Sequence, residues 1–223
     1  MKIEDVIIVK TMSKYLGQGV YSIGEAAKLT EIAPGSARRW FFGRPDSASG
    51  SVLSPDYPRV GKEVAISFLD LIDLLVVGRF RDLEIPLQTI RRVYERLQDR
   101  LCEDHPFCHH KLFTDGKIIF IEASNSIGDV RLEEAMSGQQ AFPKVLKEYL
   151  REIDYDPSTQ LASRWRISSG VVLDPLRNFG KPTVEAAGIS TFVLANAIVA
   201  NNRNAEMVAD LYGVTPGNVI SAY

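Results

Sequence analysis

Five potential metal ligands lie within nine residues, in the segment CEDHPFCHH. The segment holds every histidine and cysteine of the chain: Cys102, His105, Cys108, His109 and His110. Imidazole nitrogen and thiolate sulfur are ligands that zinc and other transition metals prefer. No second ligand pair follows at the spacing of a zinc finger. Two interpretations stay open, a metal site or a turn with capping histidines and a buried cysteine, and we assign no metal or other cofactor.

Two adjacent arginines lie near the end of a segment that predicts a helix-turn-helix, YSIGEAAKLTEIAPGSARRW (Tyr21–Trp40). Ser22 and Glu25 have the spacing of a capping box, which starts a helix at the next residue. Pro34 suits the first turn of a second helix, because its missing N–H has no partner there anyway. Small alanines allow the two helices to cross closely. We therefore expect Arg38 and Arg39 to face a duplex, near the base edges and phosphates.

The charge distribution allows a local basic surface on a chain that is not basic overall. With 26 basic and 28 acidic residues the net charge is −2, which excludes a strongly basic nucleic-acid binder. Residues 33–62 nevertheless carry five basic and two acidic residues, an excess of three positive charges. The candidate DNA-binding residues are Ser36, Arg38, Arg39, Arg44, Arg59 and Lys62.

The elements that position these residues follow from periodicity and turn chemistry. Gly, Ser and Pro between residues 43 and 61 predict an exposed loop with hairpin character. Apolar residues at helical spacing predict helices at 66–81 and 87–101. Asp115-Gly116 between the apolar runs 111–113 and 117–121 predicts a β-hairpin. Further helices are expected near 133–136 and over 143–151.

The C-terminal third predicts a separate small unit. Residues 154–169 are irregular or extended in pattern, with Trp165 as an anchor, and short strands follow from residue 171. Helices are expected at 189–200, from Asn204 to Leu211 with Gly213 as its left-handed cap, and after Thr215-Pro216. The predicted fold is mainly α with small β-hairpins. Its predicted divisions are 1–101, a linking region 102–169, and a three-helix, helix-turn-helix-like domain 170–223.

Composition narrows the function classes. The chain is 45% hydrophobic and 24% charged, as in soluble globular proteins, and no apolar run approaches the roughly 18 residues of a membrane span. The first ten residues are not a secretory signal, so we expect a cytoplasmic location. Catalysis has no support, because a phosphate-binding loop and a nucleophile elbow are missing. Asp70, Asp73 and Asp82 have the spacing of a solvated helix face, and we predict that the chain is not an enzyme.

The segment Tyr21–Leu101 resembles the MerR-type winged-helix family. The similarity rests on YSIGEAAKLT, the turn, Pro34, Arg38 and Trp40, and on ISFLDLIDLLVVGRFRDLEIPLQTIRRVYERL, which is similar to the two helices that follow the wing in that family. The resemblance implies that Arg38 contacts the DNA backbone and that Trp40 packs at the end of its helix. It also implies a homodimer, with the helix 87–101 as the dimer element.

The segment Val171–Tyr223 resembles a small bacterial antitoxin-like domain of unknown function. Its pattern is a D-P…F-G-K-P strand pair ending near Gly-Ile, followed by three helices. The matching residues here are Asp174, Pro175, Phe179, Gly180, Lys181, Pro182, Gly188 and Ile189.

Together, the two resemblances are those of the large VapB-type antitoxins. They imply a type II toxin–antitoxin system in which the chain inhibits a VapC-type PIN-domain ribonuclease and represses its own operon by binding operator DNA. A PIN active site is acidic, so inhibition calls for a basic side chain beside an apolar anchor. The candidates are Arg164 and Arg166 beside Trp165, with Arg203 beside Met207 as the other possibility. The competing interpretations are a buried Trp165 with solvated arginines and, for the whole chain, a stand-alone MerR-like regulator, metal-responsive through the Cys/His segment.

Overall fold

The structure, a computed structural model, describes residues 17–43, 50–59, 64–112 and 150–223. It has two compact units: Tyr21–Ser163, here the N-terminal unit, and Met1–Val20 with Arg164–Tyr223, here the C-terminal unit. Arg44, Lys62 and the predicted helix near 133–136 lie outside the described residues. The predicted divisions at 101 and 169 stay a prediction. Among the helices described, none has the length and apolar character to cross a bilayer.

The N-terminal unit begins with the predicted pair of short helices. Helix α1 (Ile23–Thr30) has the predicted capping box between Ser22 and Glu25. Glu31, in the left-handed conformation, ends α1, and α2 (Pro34–Phe42) starts with its proline in the first turn. Strands β1 (Tyr21–Ser22) and β2 (Ala65–Ile66) pair antiparallel.

Two longer helices form the core of this unit. Helix α3 spans Phe68–Asp82 and starts at a Ser67–Asp70 capping box. Helix α4 spans Leu87–Leu101 and buries its apolar stripe, which includes Ile90, Val93 and Leu97. A 3-10 turn, Pro106–Cys108, contacts both helices. Residues 110–112 are helical, so Lys111 and Leu112 are not the strand that we predicted there, and the rest of that hairpin lies outside the described residues.

A five-stranded sheet, most of which belongs to the C-terminal unit, corrects the predicted fold class. Strands β3 (Ile153–Tyr155), β4 (Ala162–Ser168), β5 (Val171–Leu173), β6 (Thr183–Val184) and β7 (Ile189–Ser190) form one sheet in sequential order. The described pairs of β4 through β7 are antiparallel. The described fold is therefore mixed α/β, and the prediction of a mainly α fold was wrong in this respect. The strands of two or three residues are too short to show an alternating pattern in the sequence.

Three helices follow the sheet, as predicted. Helix α5 spans Thr191–Ala200, α6 spans Ala205–Tyr212 and α7 spans Pro216–Ala222. Asn204 and Thr215 cap the last two helices, and Gly213 ends α6 in the left-handed conformation. Their buried side chains form one apolar core with β6: Val184, Leu194, Ile198, Val208, Ala209 and Val219.

A close approach fixes the turn between α1 and α2 against α3. Ile32, in the turn, lies so near Gly78 that a β-carbon at residue 78 would stand 2.6 Å from its Cδ1 atom and 3.1 Å from its Cγ1 atom. Arg79 adds an ion pair with Glu31 at 3.6 Å. A glycine in this helix interior is therefore explained by the turn that packs on it.

We expect Gly78→Ala to destabilise the protein. Overpacking costs about 1–3 kcal/mol, which exceeds the gain of about 1 kcal/mol in helix propensity. Ile32→Val removes the nearest atom, so the Gly78→Ala/Ile32→Val variant should lose less stability than the two single variants added together. The measurement is the free energy of unfolding in urea. Strictly additive effects would show that Ile32 does not fix this contact.

Candidate nucleic-acid interface

The described candidate DNA-binding residues lie on α2 and on the loop that follows it. Arg38, Arg39 and Arg59 are exposed, and Ser36 is half-buried. The Arg39 guanidinium donates to the Ser36 hydroxyl at 3.0 Å and to the Gly35 carbonyl at 3.2 Å, so it lies along the first turns of α2. The structure thus brings together four of the six predicted residues.

The Phe42 ring contacts one arginine of the helix, Arg38, and the arginine of the loop, Arg59. The guanidinium carbon of Arg59 lies 4.2 Å from the centre of the Phe42 ring, and that of Arg38 lies 5.9 Å from it. Both distances are within the range of a cation–π contact. Phe42 therefore holds two positive charges on one surface, a role that the sequence analysis missed.

The described part of the loop after α2 is held by hydrogen bonds at residues 51–53. The backbone N–H groups of Val52 and Leu53 both donate to the Trp40 carbonyl, at 2.8 and 3.0 Å. The Nε atom of Arg91, on α4, donates to the Ser51 carbonyl at 2.8 Å. Trp40 is buried at the end of its helix. These bonds fix the loop to both α2 and α4.

The second half of the loop is fastened by a buried carboxylate. Asp70 is 1% exposed, and one of its oxygens accepts the backbone N–H groups of Ser67 at 2.9 Å and Asp56 at 3.0 Å. Burial raises the pKa of this carboxyl to about 7, while the two backbone hydrogen bonds oppose the shift. Asp70 is thus both the cap of α3 and an anchor for the loop.

His105 is a buried side chain that links the loop to α3. Its Nδ1 atom lies 2.8 Å from a carboxylate oxygen of Asp73, and its Nε2 atom lies 3.1 Å from one of Asp56. Burial lowers the pKa of His105, but hydrogen bonds and charge attraction from the two carboxylates outweigh burial and raise the pKa to about 11. The imidazolium therefore donates from both ring nitrogens to two carboxylates.

Asp73 is also the acceptor for two further side chains. The Tyr94 hydroxyl, on α4, donates to it at 2.8 Å, and burial raises the pKa of that hydroxyl. The Cys108 sulfur lies 3.5 Å from the Oδ1 atom of Asp73 and 3.1 Å from the Leu69 carbonyl oxygen, so the single S–H proton has two acceptors within reach. We call Asp56, Asp70, Asp73, Tyr94, His105 and Cys108 the buried polar network; all are buried except Asp56, which lies at its exposed edge.

The predicted ligand segment does not converge on one point. Cys102 is exposed, and the Nδ1 atom of His109 accepts the Lys111 backbone N–H at 3.1 Å, which is a capping contact. His105 and Cys108 do meet, with Asp73, within 4.8 Å of one another. This donor set suits Zn²⁺ chemically, but burial raises the pKa of the Cys108 thiol well above its usual range. The three groups are joined by hydrogen bonds through Asp73, so their burial together is explained without a metal ion.

The carboxylates of the network correct one prediction. Asp70 and Asp73 are buried, whereas their helical spacing indicated a solvated face. The prediction of a solvated position is confirmed only for Asp82, which is largely exposed and pairs with Arg79 at 3.1 Å. Asp73 contacts His105, which lies 32 residues away, and Asp70 accepts the backbone N–H of Asp56, which lies 14 residues away, so no local spacing shows either contact.

The other predicted site residues lie in β4 of the C-terminal unit. Trp165 is buried, opposite Leu173 in the sheet. The Nε atom of Arg164 lies 3.1 Å from a carboxylate oxygen of Asp174, and Arg166 is half-buried. The geometry is that of a buried anchor for the sheet. Whether this segment also contacts a partner stays a prediction.

Comparisons with known proteins agree with the antitoxin resemblance. No protein-family model matches the chain. The chain is 25% identical, over 222 residues, to a Mycobacterium tuberculosis (strain ATCC 25618 / H37Rv) protein named "Putative antitoxin VapB45", with 91% of this chain and 92% of that protein aligned. The crystal structure of Rv2018 from Mycobacterium tuberculosis has the same fold, with a TM-score of 0.73, 24% identity, and coverage of 91% of this chain and 95% of that one. The similarity supports the predicted VapB-type resemblance.

The raised pKa of His105 predicts that the free energy of unfolding falls with rising pH. Above about pH 6.5 the unfolded chain releases the His105 proton, while the folded chain keeps it up to about pH 11. Stability therefore falls by up to about 1.4 kcal/mol per pH unit in this window. Asp70 acts in the same direction, but only between about pH 4 and about pH 7.

Urea denaturation from about pH 7 to about pH 8 reports mainly on His105, because the raised pKa of the buried Cys108 thiol adds a slope of the same sign only as the pH approaches about 9. We expect the slope to be smaller in His105→Gln and retained in the control His110→Gln. A parent protein whose stability stays constant over this window would contradict the assignment of a charged His105.

Proposed function

We propose that the chain is the DNA-binding antitoxin of a type II toxin–antitoxin system that acts in the cytoplasm, represses its own operon, and inhibits a VapC-type ribonuclease. The similarity to a protein named as an antitoxin supports the general class. The observation that carries the DNA-binding part is the exposed basic surface of Arg38, Arg39 and Arg59 around Phe42.

The surface has the properties that a duplex requires. Its arginines lie on a helix and on an adjacent loop, which is the arrangement of a MerR-like recognition helix with a wing. Phosphate contacts provide most of the affinity and all of the salt dependence of such binding. The buried polar network and the Trp40 carbonyl hold the loop in place, so few side chains need to be ordered on binding.

We expect Arg38→Ala and Arg59→Ala each to weaken binding to a duplex that carries the promoter of the protein's own operon. Each lost phosphate contact should also make the salt dependence shallower, by about 0.9 in the slope of log affinity against log salt. Fluorescence anisotropy at several salt concentrations measures both quantities. The control is Arg96→Ala, an exposed arginine on α4. Unchanged affinity and slope in both variants would contradict the assignment of this surface.

For the toxin, we propose a contact through the start of α6. Arg203 is exposed, and its guanidinium makes no hydrogen bond or ion pair with any residue that the structure describes. Its backbone is fixed by a hydrogen bond from its N–H to the Ile198 carbonyl at 2.8 Å, directly before the cap residue Asn204. Met207 and Leu211 follow Arg203 in the sequence and lie one helical turn apart on α6. Both are apolar and exposed. The β4 candidate is less suitable, because its apolar anchor, Trp165, is already buried.

We expect Arg203→Glu to abolish co-purification with the PIN-domain ribonuclease encoded beside it and to release ribonuclease activity. A charge reversal against an acidic cleft replaces attraction by repulsion, which costs about 2–5 kcal/mol or more. Arg166→Ala, in β4, is the comparison variant. Retained inhibition by Arg203→Glu together with lost inhibition by Arg166→Ala would assign the contact to β4 instead.

A further inference from the structure

Helix α5 presents an exposed face that is almost entirely apolar. Phe192 is 74% exposed, Val193 40% and Val199 60%, and Asn196 and Ala200 are exposed as well. These five positions follow a helical repeat and therefore lie on one side of the helix. The opposite side is occupied by the buried residues Leu194 and Ile198. A helix that is apolar on both sides is typical of a buried position.

The α5 face is also free of charge. No Asp, Glu, Lys or Arg occurs between Glu185 and Arg203 in the sequence. A charged partner such as a phosphate backbone or an acidic cleft would find no ion-pair partner on this face. A second copy of the same chain meets no like-charge repulsion there, although the chain carries a net charge of −2.

We propose that a second copy of this chain packs antiparallel on the α5 face and that Asn196 lies on the two-fold axis. The five positions are symmetric about residue 196, so a two-fold axis there pairs each with another member of the set. Phe192 meets Ala200 of the other copy, and Val193 meets its Val199. The largest side chain therefore packs against the smallest. The distance between the two helices can then stay the same along the whole contact. A parallel arrangement would put phenylalanine on phenylalanine and alanine on alanine.

Asn196 is suited to the centre of such an interface. Its Nδ2 atom already donates to the Phe192 carbonyl at 2.8 Å within the helix. The burial of its amide therefore leaves fewer groups without a partner. A single asparagine in an otherwise apolar helix interface is known to fix register in coiled coils.

The three large apolar side chains of the face supply about a third of a standard interface, so the residues around them must contribute the rest. Fully exposed side chains of these sizes contribute about 100 Å² for valine and about 200 Å² for phenylalanine. With the exposures above, Phe192, Val193 and Val199 give roughly 250 Å² per copy, within the roughly 800 Å² per partner of a standard interface. Polar residues around the helix, such as Ser190, Asn201 and Asn202, would form the rim.

The structure gives less support to α4, the dimer element that the MerR resemblance implies. Its apolar stripe is buried inside the N-terminal unit. The exposed residues of α4 are polar: Gln88, Arg92, Glu95, Arg96, Asp99 and Arg100. The α5 face is therefore the better surface for a second copy.

The first test is the mass of the full chain by light scattering. We expect the parent to be a dimer and Phe192→Glu to be a monomer at the same concentration. Leu176→Glu is the matched control, because Leu176 is an equally large apolar residue in the same unit, 80% exposed and outside α5. The far-ultraviolet circular dichroism of each variant checks that it is folded. A monomeric parent, or a Phe192→Glu variant that stays dimeric, would overturn the proposal.

The second test locates the axis by disulfide trapping in a Cys102→Ser background. At an interaxial distance of 8–10 Å, the facing α-carbons of an Asn196→Cys pair lie roughly 3–5 Å apart, close enough for a disulfide. Four residues from the axis, the two copies of an Ala200→Cys variant are separated by roughly 12 Å, which is too far. We expect the first variant to form a linked dimer and the second to form none.

The crosslinking outcomes separate this proposal from the proposed function. Efficient linkage by Ala200→Cys and none by Asn196→Cys would refute the antiparallel axis. Failure of DNA binding or of ribonuclease inhibition in the parent would refute the proposed function, but the dimer mass and the crosslinking pattern would be unchanged.

Discussion

The arrangement of the N-terminal unit depends on the ionic contact of His105 with Asp56 and Asp73. A charged imidazole and the Asp73 carboxylate are removed from water together, which is unfavourable for each charge alone, while Asp56 stays exposed to solvent. The three groups offset this cost because both ring nitrogens donate to a carboxylate. Asp56 belongs to the loop and Asp73 to α3, so the imidazolium can form both bonds only when the loop is in place. The contact therefore couples the fold of the loop to the protonation of one side chain.

The proposed DNA-binding surface depends on this coupling, although none of the network residues belongs to it. Arg59 lies over Phe42 only because the preceding loop residues are held by Trp40, Arg91, Asp70 and His105. The Ile32–Gly78 contact fixes the other side of the same corner, at the turn before α2. The exposed arginines are thus carried by a backbone that is fixed from inside the unit. A surface prepared in this way loses little conformational entropy when it binds.

Local features of the fold could be predicted from the sequence, and contacts between distant residues could not. Ser22 with Glu25, Asn204, Gly213 and Thr215 act within one helical turn, and each lies where its residue type predicted. Asp70 and Asp73 have the same spacing whether they face water or a buried histidine, so the pattern alone favoured the common case. The short strands after residue 171 were predicted, but their pairing with β3 and β4 in one sheet was not, because strand pairing depends on tertiary contacts.

The two units differ in the physical character of what they expose, and this difference separates their proposed partners. The candidate surface of the N-terminal unit is cationic, so its contacts weaken as salt screens them. The α5 face has no charge, so salt does not screen its association, and burial of apolar area provides the driving force. Arg203 combines both properties, a cation beside apolar residues, which is the combination that an acidic cleft in a protein requires. The three proposed contacts therefore differ in the forces that would stabilise them: ionic for a duplex, apolar for a second copy, and both for an acidic protein.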